Sequence, residues 1–228
     1  MTDMNMSRMS RRQLLVSGVA GLLAGCASRD PVMNNVFSVA RYLVSGRPGQ
    51  TIDRETVAKI PYATVSAKIG KGGLALLVLG QRQQGDLFWL SADGAGLITR
   101  SGRLVKTVGL LENLVSTAAM VPDPLQHEPH RLSTTADSSR IVDLDAGAGY
   151  ETLQLVASMS PVGPETITIA GLEFKTLKIR EVNHATSVRW KFANLFWVDI
   201  YDGFVWKSRQ HFARGLPPVD LEVLKPAA

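Results

Sequence analysis

From Tyr62 onward, short segments rich in aliphatic, aromatic and β-branched residues alternate with glycine-containing turns. Turns such as Ser101-Gly102 and Asp202-Gly203 suit hairpins, because glycine readily adopts the positive φ that tight turns require. About ten short strands predict a mainly β fold, either an antiparallel β-barrel or a sandwich, in a single domain over 32–215. The pattern predicts these strands over 62–69, 74–82, 86–92, 96–101, 103–108, 150–158, 165–170, 172–182, 187–192, 195–200 and 204–212.

The stretch between the two β-rich blocks has a different character. Apolar residues over 110–120 predict a short helix, and three prolines over 122–129 then interrupt regular structure. The polar stretch 131–145 remains ambiguous. We therefore expect the proline-containing stretch to cross the surface or one end of the β domain, and we expect 216–228 to form a C-terminal tail.

Side-chain alternation separates two faces along the predicted strands 187–192 and 204–212. One face is mostly apolar, and the other carries cations, so we predict an exposed basic surface for a ligand or a partner protein. Its members are Arg189, Lys191, Lys207 and Arg209. In 172–182 the apolar residues change phase, which predicts a bulge near Lys175-Thr176. For the four tryptophans, core packing is favoured over stacking on sugar rings.

The first 25 residues have the composition of an export signal. Arg8, Arg11 and Arg12 precede an apolar stretch over 14–23, which is too short for a permanent membrane-spanning helix. The sequence LAGC, which ends at Cys26, resembles the bacterial lipobox. Cys26 is the only cysteine, so it has no partner for an internal disulfide, and we expect it to carry acyl chains such as palmitate.

This interpretation divides the N-terminal part into a signal peptide over 1–25, an acylated tether over 26–31 and a short helix over 32–45. Ala27, where aspartate would favour the inner membrane, indicates an outer-membrane lipoprotein that faces the periplasm. Residues 10–15 resemble a twin-arginine signal, which exports folded proteins. An ordinary arginine-rich signal explains the same residues, and both routes stay open.

Charge and motifs exclude several classes of function. The formal net charge is +5, but both signs are interspersed and no nucleic-acid motif occurs, so we expect no nucleic-acid partner. His127 and His130 have a spacing that a metal site can use, but Pro129 lies between them and no third ligand is indicated. A serine-nucleophile elbow and a paired-carboxylate signature are also missing. We therefore predict no metal, no cofactor and no catalysis.

Several longer stretches resemble the YjbF/GfcB family of exopolysaccharide and group 4 capsule lipoproteins. They are IPYATV (60–65), LLVL (76–79), WLSADG (89–94), LITRSGRLVKTVGL (97–110), NLFWVD (194–199) and DGFVWKSRQ (202–210). The resemblance runs from about residue 33 to residue 212. It implies a β-barrel-like periplasmic domain encoded with capsule or exopolysaccharide genes, and it implies no catalytic residues.

Together these observations predict an outer-membrane lipoprotein that assists export or assembly of a surface polysaccharide, with the export machinery or the polysaccharide as partner. An enzyme that trims or modifies the polysaccharide is one alternative. A structural envelope lipoprotein without glycan contact is another.

Overall fold

Twelve antiparallel strands form one sheet that curls into a nearly closed barrel in the part of the chain that the structure describes. The structure is a computed structural model, and it describes residues 52, 54–92, 94–147 and 149–227. The predicted signal peptide, Cys26, the tether and the helix over 32–45 lie outside these residues. The one α-helix among the described residues, α1, is short (Arg54–Ala58). No described helix is long and apolar enough to cross a membrane.

The strand bounds are β1 (Thr64–Ile69), β2 (Leu74–Gln83), β3 (Asp86–Ser91), β4 (Gly96–Arg100), β5 (Arg103–Val108), β6 (Asn113–Ala119), β7 (Ala136–Asp145), β8 (Tyr150–Ile169), β9 (Leu172–Ala185), β10 (Lys191–Asp199), β11 (Val205–Gln210) and β12 (Val219–Lys225). Across the sheet they follow the order β5-β4-β3-β2-β1-β12-β11-β10-β9-β8-β7-β6. The predicted antiparallel β fold is confirmed as a barrel, and the strand count is twelve rather than about ten.

The two ends of this order, β5 and β6, are brought together by side chains. The Leu114 N–H donates to Thr107 Oγ1 at 2.9 Å. Asn113 Oδ1 accepts from the Leu110 N–H at 3.1 Å, and Asn113 Nδ2 donates to the Leu110 carbonyl at 2.9 Å. These bonds satisfy backbone groups that an open sheet edge would leave unpaired.

Two strands correct the prediction for the central stretch. Residues 110–120 do not form a helix, because β6 pairs with β7 and this pairing outweighs a weak local preference for helix. β7 occupies much of the stretch that the sequence left ambiguous. Ser138, Arg140, Val142 and Leu144 are its buried residues, and the two polar members conceal the alternation.

Other strand boundaries also differ from the prediction. β8 is one long strand where 150–158 and 165–170 were predicted, and its register shifts between Pro161 and Gly163 rather than near Lys175-Thr176. β10 begins at Lys191, so most of the predicted strand 187–192 precedes it.

The segment 216–228 is not a tail. Over Val219–Lys225 it forms β12, which pairs with β1 on one side and with β11 on the other. Val219 and Leu221 are buried because they point into the main core, while Asp220 between them is charged. The corrected β domain therefore includes this strand.

Buried side chains form a main core inside the barrel and two smaller clusters. The main core includes Leu77, Trp89 and Leu97, and a second cluster is built around Met159 and Phe196. Trp197 projects from the opposite face of β10 and packs on Ile167 and Ile169 of β8. The prediction of core packing is confirmed for Trp89 and Trp197, whereas Trp190 and Trp206 are half-buried against these clusters.

We expect Gly102→Ala to destabilise the barrel more than Gly171→Ala, a matched control. Both glycines follow a residue with positive φ in a two-residue hairpin, and their own φ values are +79° and +80°. A Cβ at Gly171 meets nothing within 4 Å, whereas one at Gly102 lies 2.4 Å from Val205 Cβ. Gly171→Ala therefore lowers the free energy of unfolding only by the conformational cost of a positive φ at alanine, roughly 1–2 kcal/mol.

Overlap with Val205 adds roughly 1–3 kcal/mol in Gly102→Ala. Urea unfolding of both variants and the unsubstituted protein measures these losses. Equal losses in the two variants would contradict the close approach of the β4–β5 turn to β11.

Candidate functional site

A charged cluster is buried among the strands that enclose the barrel interior. The guanidinium of Arg103, on β5, contacts two carboxylates, those of Asp123 and Glu181. Arg103 Nη2 donates to Glu181 Oε1 at 2.8 Å and to Asp123 Oδ1 at 2.9 Å, and Nη1 donates to Glu181 Oε2 at 3.0 Å. Because the three residues come from β5, the segment after β6, and β9, the cluster joins distant parts of the chain.

Three further side chains complete the coordination of Glu181, which is 0% exposed. Arg140 Nη1 donates to Glu181 Oε1 at 3.0 Å, and Arg140 Nη2 donates to Asn183 Oδ1 at 2.6 Å. Asn183 Nδ2 and Asn194 Nδ2 both donate to Glu181 Oε2, at 3.1 and 2.8 Å. Two arginines and two carboxylates balance in charge, so this cluster, which we call the buried ion cluster (Arg103, Asp123, Arg140, Glu181), has no excess charge inside the barrel.

The surroundings shift the pKa values of the cluster in opposite directions. Burial by itself raises the pKa of Glu181, but the charges of Arg103 and Arg140 outweigh it and hold that pKa well below its ordinary value of 4.5. Burial lowers the pKa of Arg103, and the nearby Glu181 and Asp123 more than reverse this. Glu181 and Arg103 are therefore charged at neutral pH. The pKa of Arg140 is lowered, because burial outweighs the nearby charge of Glu181.

Asp123 links the buried ion cluster to the segment 122–132, which we call the proline segment. Its Oδ1 also accepts the Leu125 N–H at 3.1 Å, which caps the 3₁₀ turn Pro124–Gln126. A second 3₁₀ turn, Pro129–Arg131, follows Glu128, whose φ of 45° is unusual for a residue with a side chain. The buried ion cluster thus fixes where the proline segment begins.

The proline segment forms one wall of a cavity of about 580 Å³. Other walls come from β3 and β4, from β1, β11 and β12, and from the loop between β10 and β11. The apolar lining is contributed by Val65, Leu87, Trp89, Leu125, Pro129, Phe204, Val205, Trp206, Leu221 and Val223. A concave, mostly apolar site of this size with a few polar groups is typical of small-molecule binding.

Three polar side chains in the lining have unused hydrogen-bonding capacity. Thr99 Oγ1 accepts from Trp89 Nε1 at 2.8 Å, and Ser208 Oγ accepts from Gln210 Nε2 at 2.9 Å, so each hydroxyl proton is left to donate. His130 Nδ1 is buried and has no hydrogen-bond partner in the described part of the chain. A Cβ at Gly203 would lie 2.7 Å from this atom, so the loop between β10 and β11 sits close against the imidazole.

The charged side chains of the lining are already engaged. Arg131 Nη1 lies 3.2 Å from a Glu128 carboxylate oxygen, and Lys207 Nζ lies 2.6 Å from Glu222 Oε1. Asp202 Oδ1 accepts the Phe204 N–H at 2.8 Å. Tyr201 belongs to the same lining and is 74% exposed, so it presents an aromatic ring where the cavity meets solvent.

The predicted basic surface is only partly a surface of free cations. Lys207 pairs with Glu222, and Arg209 pairs with Asp220 through two bonds of 2.6 and 3.0 Å. Arg189 and Lys191 are exposed. Arg209 is paired across the sheet with Leu195 of β10. Lys191 lies four residues from Leu195 along the same strand, which is a distance of about 13 Å. The structure therefore separates the four residues into two pairs, and their role stays a prediction.

The other candidate residues of the sequence fall at the proline segment. His127 is exposed and His130 lines the cavity. Among the residues described, no three His, Cys, Asp or Glu side chains are grouped in a way that holds a metal ion.

Sequence reasoning missed the residues that organise the interior. Arg103, Asp123 and Arg140 lie in ordinary polar positions of the sequence, and nothing local marks these three residues as buried. One signal was present: a charged residue on the apolar face of an alternating segment, as Glu181 is after Ile179. Such an inward charge requires a partner, but the pattern does not say which one.

The comparisons with known proteins agree with one another. Residues 37–224 match the family model YjbF, "Group 4 capsule polysaccharide lipoprotein gfcB, YjbF". The chain is 31% identical to the uncharacterized lipoprotein GfcB of Escherichia coli (strain K12), over 95% of this chain and 99% of that protein. It is 24% identical to the uncharacterized lipoprotein YjbF of the same organism, over 90% and 94%.

One solved structure shares the fold. It is the crystal structure of the hypothetical lipoprotein YmcC from Escherichia coli (K12), which aligns with a TM-score of 0.72 at 31% identity. The alignment covers 78% of this chain and 90% of that chain.

We expect Glu181→Gln to lower the free energy of unfolding by roughly 3–5 kcal/mol, because it leaves buried arginine charge uncompensated. Glu165→Gln is the control: Glu165 pairs with Lys178 at 3.0 Å near the surface, and its loss costs less than about 1 kcal/mol. Chemical denaturation measures both. Similar losses would show that the buried ion cluster does not hold the barrel.

We also expect acid to destabilise the protein through Glu181. Its pKa in the folded protein is below the ordinary 4.5, so the unfolded chain binds the proton first as the pH falls. The stabilisation that ionised Glu181 contributes is complete above its ordinary pKa of 4.5 and is lost as the pH drops below that value. Unfolding free energies between about pH 6 and pH 3 should therefore fall more steeply for the unsubstituted protein than for Glu181→Gln. Parallel curves would contradict this assignment.

Proposed function

The chain belongs to the YjbF family of group 4 capsule polysaccharide lipoproteins, and on that premise we propose that it is a non-catalytic accessory in export or assembly of a capsule or exopolysaccharide. The observation that carries the proposal is the family match, which includes nearly all of the barrel and the lining of its cavity. In this proposal, acylated Cys26 anchors the barrel in the outer membrane, facing the periplasm.

Anchoring gives the proposal a physical mechanism. Acyl chains on Cys26 keep the β domain at the membrane, where its effective concentration near the export machinery is high. Contacts with the polysaccharide or a partner protein can then be individually weak and still act together. The cavity offers the concave surface for such contacts.

The carboxylates of the cavity favour binding over hydrolysis. Glu128 and Asp202 line the cavity, but both side chains are exposed, and each is engaged by a neighbour. A glycosidase needs a carboxylic acid whose pKa is raised by burial, so that it is protonated at neutral pH. Glu128 and Asp202 are exposed and so lack the burial that such an acid requires, which supports a binding role.

The test is the amount and length of secreted polysaccharide from a strain that lacks this gene and from a strain that carries Cys26→Ala. We expect both strains to secrete less polysaccharide, because the first lacks the domain and the second lacks its anchor. Complementation with the unsubstituted gene is the control for the deletion, and immunoblotting shows that the Cys26→Ala protein accumulates normally.

Other outcomes reject the proposal in different ways. Normal yield and normal length in both strains would leave a structural envelope role. Normal yield with altered length in the deletion strain would indicate an enzyme, and the double variant Glu128→Gln/Asp202→Asn would then reproduce the altered length.

A further inference from the structure

We propose that the cavity binds a short uncharged saccharide, with its sugar oxygens accepting hydrogen bonds from Thr99 and Ser208 and one ring stacked on Tyr201. This inference rests on the proposed function and names the class of ligand that the site takes. Three properties of the lining lead to it: buried hydroxyl donors, an aromatic entrance and neutralised charges.

The hydroxyl donors are built into the interior. Ser208 is 2% exposed and Thr99 is 8% exposed, and the oxygen of each already accepts one bond from a neighbouring side chain. Each O–H therefore needs an acceptor from a ligand or from water. His130 Nδ1 is a further buried polar atom, and it has no hydrogen-bond partner in the described structure.

These polar atoms distinguish a saccharide from an acyl chain. An acyl chain in the cavity would leave the two hydroxyl protons without an acceptor and the imidazole nitrogen without a partner, at a substantial cost in free energy. A sugar ring has oxygens around its edge and C–H groups on its faces. It satisfies the donors and still packs against apolar walls such as Leu221 and Val223.

The entrance is aromatic. Tyr201 is largely exposed. Phe204 and Trp206 line the same cavity and contact each other with ring centroids 4.7 Å apart. Aromatic faces carry partial negative charge and attract the polarised C–H groups of a sugar face. Tyr201 has few contacts to lose, so its ring is available for stacking.

The charges favour a neutral ligand. Both cations of the lining are paired, Arg131 with Glu128 and Lys207 with Glu222, and Lys207 Nζ also lies 5.5 Å from the ring centroid of Trp197. An acidic sugar would have to displace these partners to obtain a counter-charge, while Asp202 would repel it. An uncharged saccharide meets neither cost.

The experiment uses fragments of about two to four sugar units from the polysaccharide of the strain that carries this gene, a size suited to a small-molecule site. Anion exchange separates them into neutral and acidic fractions, and lauric acid represents an acyl chain. Calorimetric titration of the purified full-length protein, together with intrinsic tryptophan fluorescence, measures binding. We expect binding by the neutral fraction alone.

Matched variants locate the ligand. Tyr201→Ala should weaken binding by about threefold to tenfold, whereas Tyr150→Ala, whose tyrosine is 79% exposed and outside the cavity lining, should leave it unchanged. Ser208→Ala should weaken binding by a similar factor. It keeps the fold intact because Gln210 Nε2 retains the Gly102 carbonyl at 2.8 Å.

Binding by acidic fragments or lauric acid alone, equal effects of the two tyrosine variants, or no binding by any probe would each overturn the inference. These outcomes are separate from those of the gene deletion. Reduced polysaccharide in the deletion strain without binding to the cavity retains the accessory role and rejects the ligand. Binding of the neutral fraction together with normal polysaccharide output in the deletion strain retains the ligand and rejects the accessory role.

Discussion

The pairing of Arg103 with Glu181 and Asp123 is the interaction on which the rest of the barrel depends. A sheet of twelve strands has two free ends, and β5 and β6 meet there through a small number of side-chain bonds. Arg103 begins β5, and its guanidinium reaches both the opposite wall and the segment that leaves β6. The salt bridges thus join both ends of the sheet to β9. Burying four charges is costly, and it is tolerated because the charges balance and Asn183 and Asn194 satisfy the remaining hydrogen bonds.

The same pairing explains how a barrel that is packed in one region is hollow in another. Asp123 directs the proline segment across the cavity, where Leu125 and Pro129 form a wall instead of filling the space. The hydrogen-bonded hydroxyls of Thr99 and Ser208 are then held by Trp89 and Gln210 in fixed orientations. A site prepared in this way loses little conformational entropy when a ligand binds.

Local patterns were sufficient for the strands whose turns contain glycine and whose inward residues are apolar, which is why β1 to β5 were predicted closely. Local patterns failed at β7, where Ser138 and Arg140 point inward. They also failed at β12, where charged residues between the apolar ones resemble a solvated tail. The cavity and the buried ion cluster were beyond local reasoning, because Arg103 and Glu181 are 78 residues apart. Only the closed topology brings them into contact. The family resemblance predicted the fold but carried no information about these side chains.

The position of β12 has a consequence for the order in which the barrel assembles. Thr64 pairs with Lys225, so β1 lacks one of its two neighbours until nearly the whole domain has been synthesised and has left any channel through which it travels. Contacts between such distant residues form late and slow the folding of all-β proteins. The strands β1 to β5, and likewise the strands β6 to β12, can pair one after another as they emerge. The edge of β1 stays exposed until β12 has formed, and the pairing of β1 with β12 is the step that completes the barrel wall.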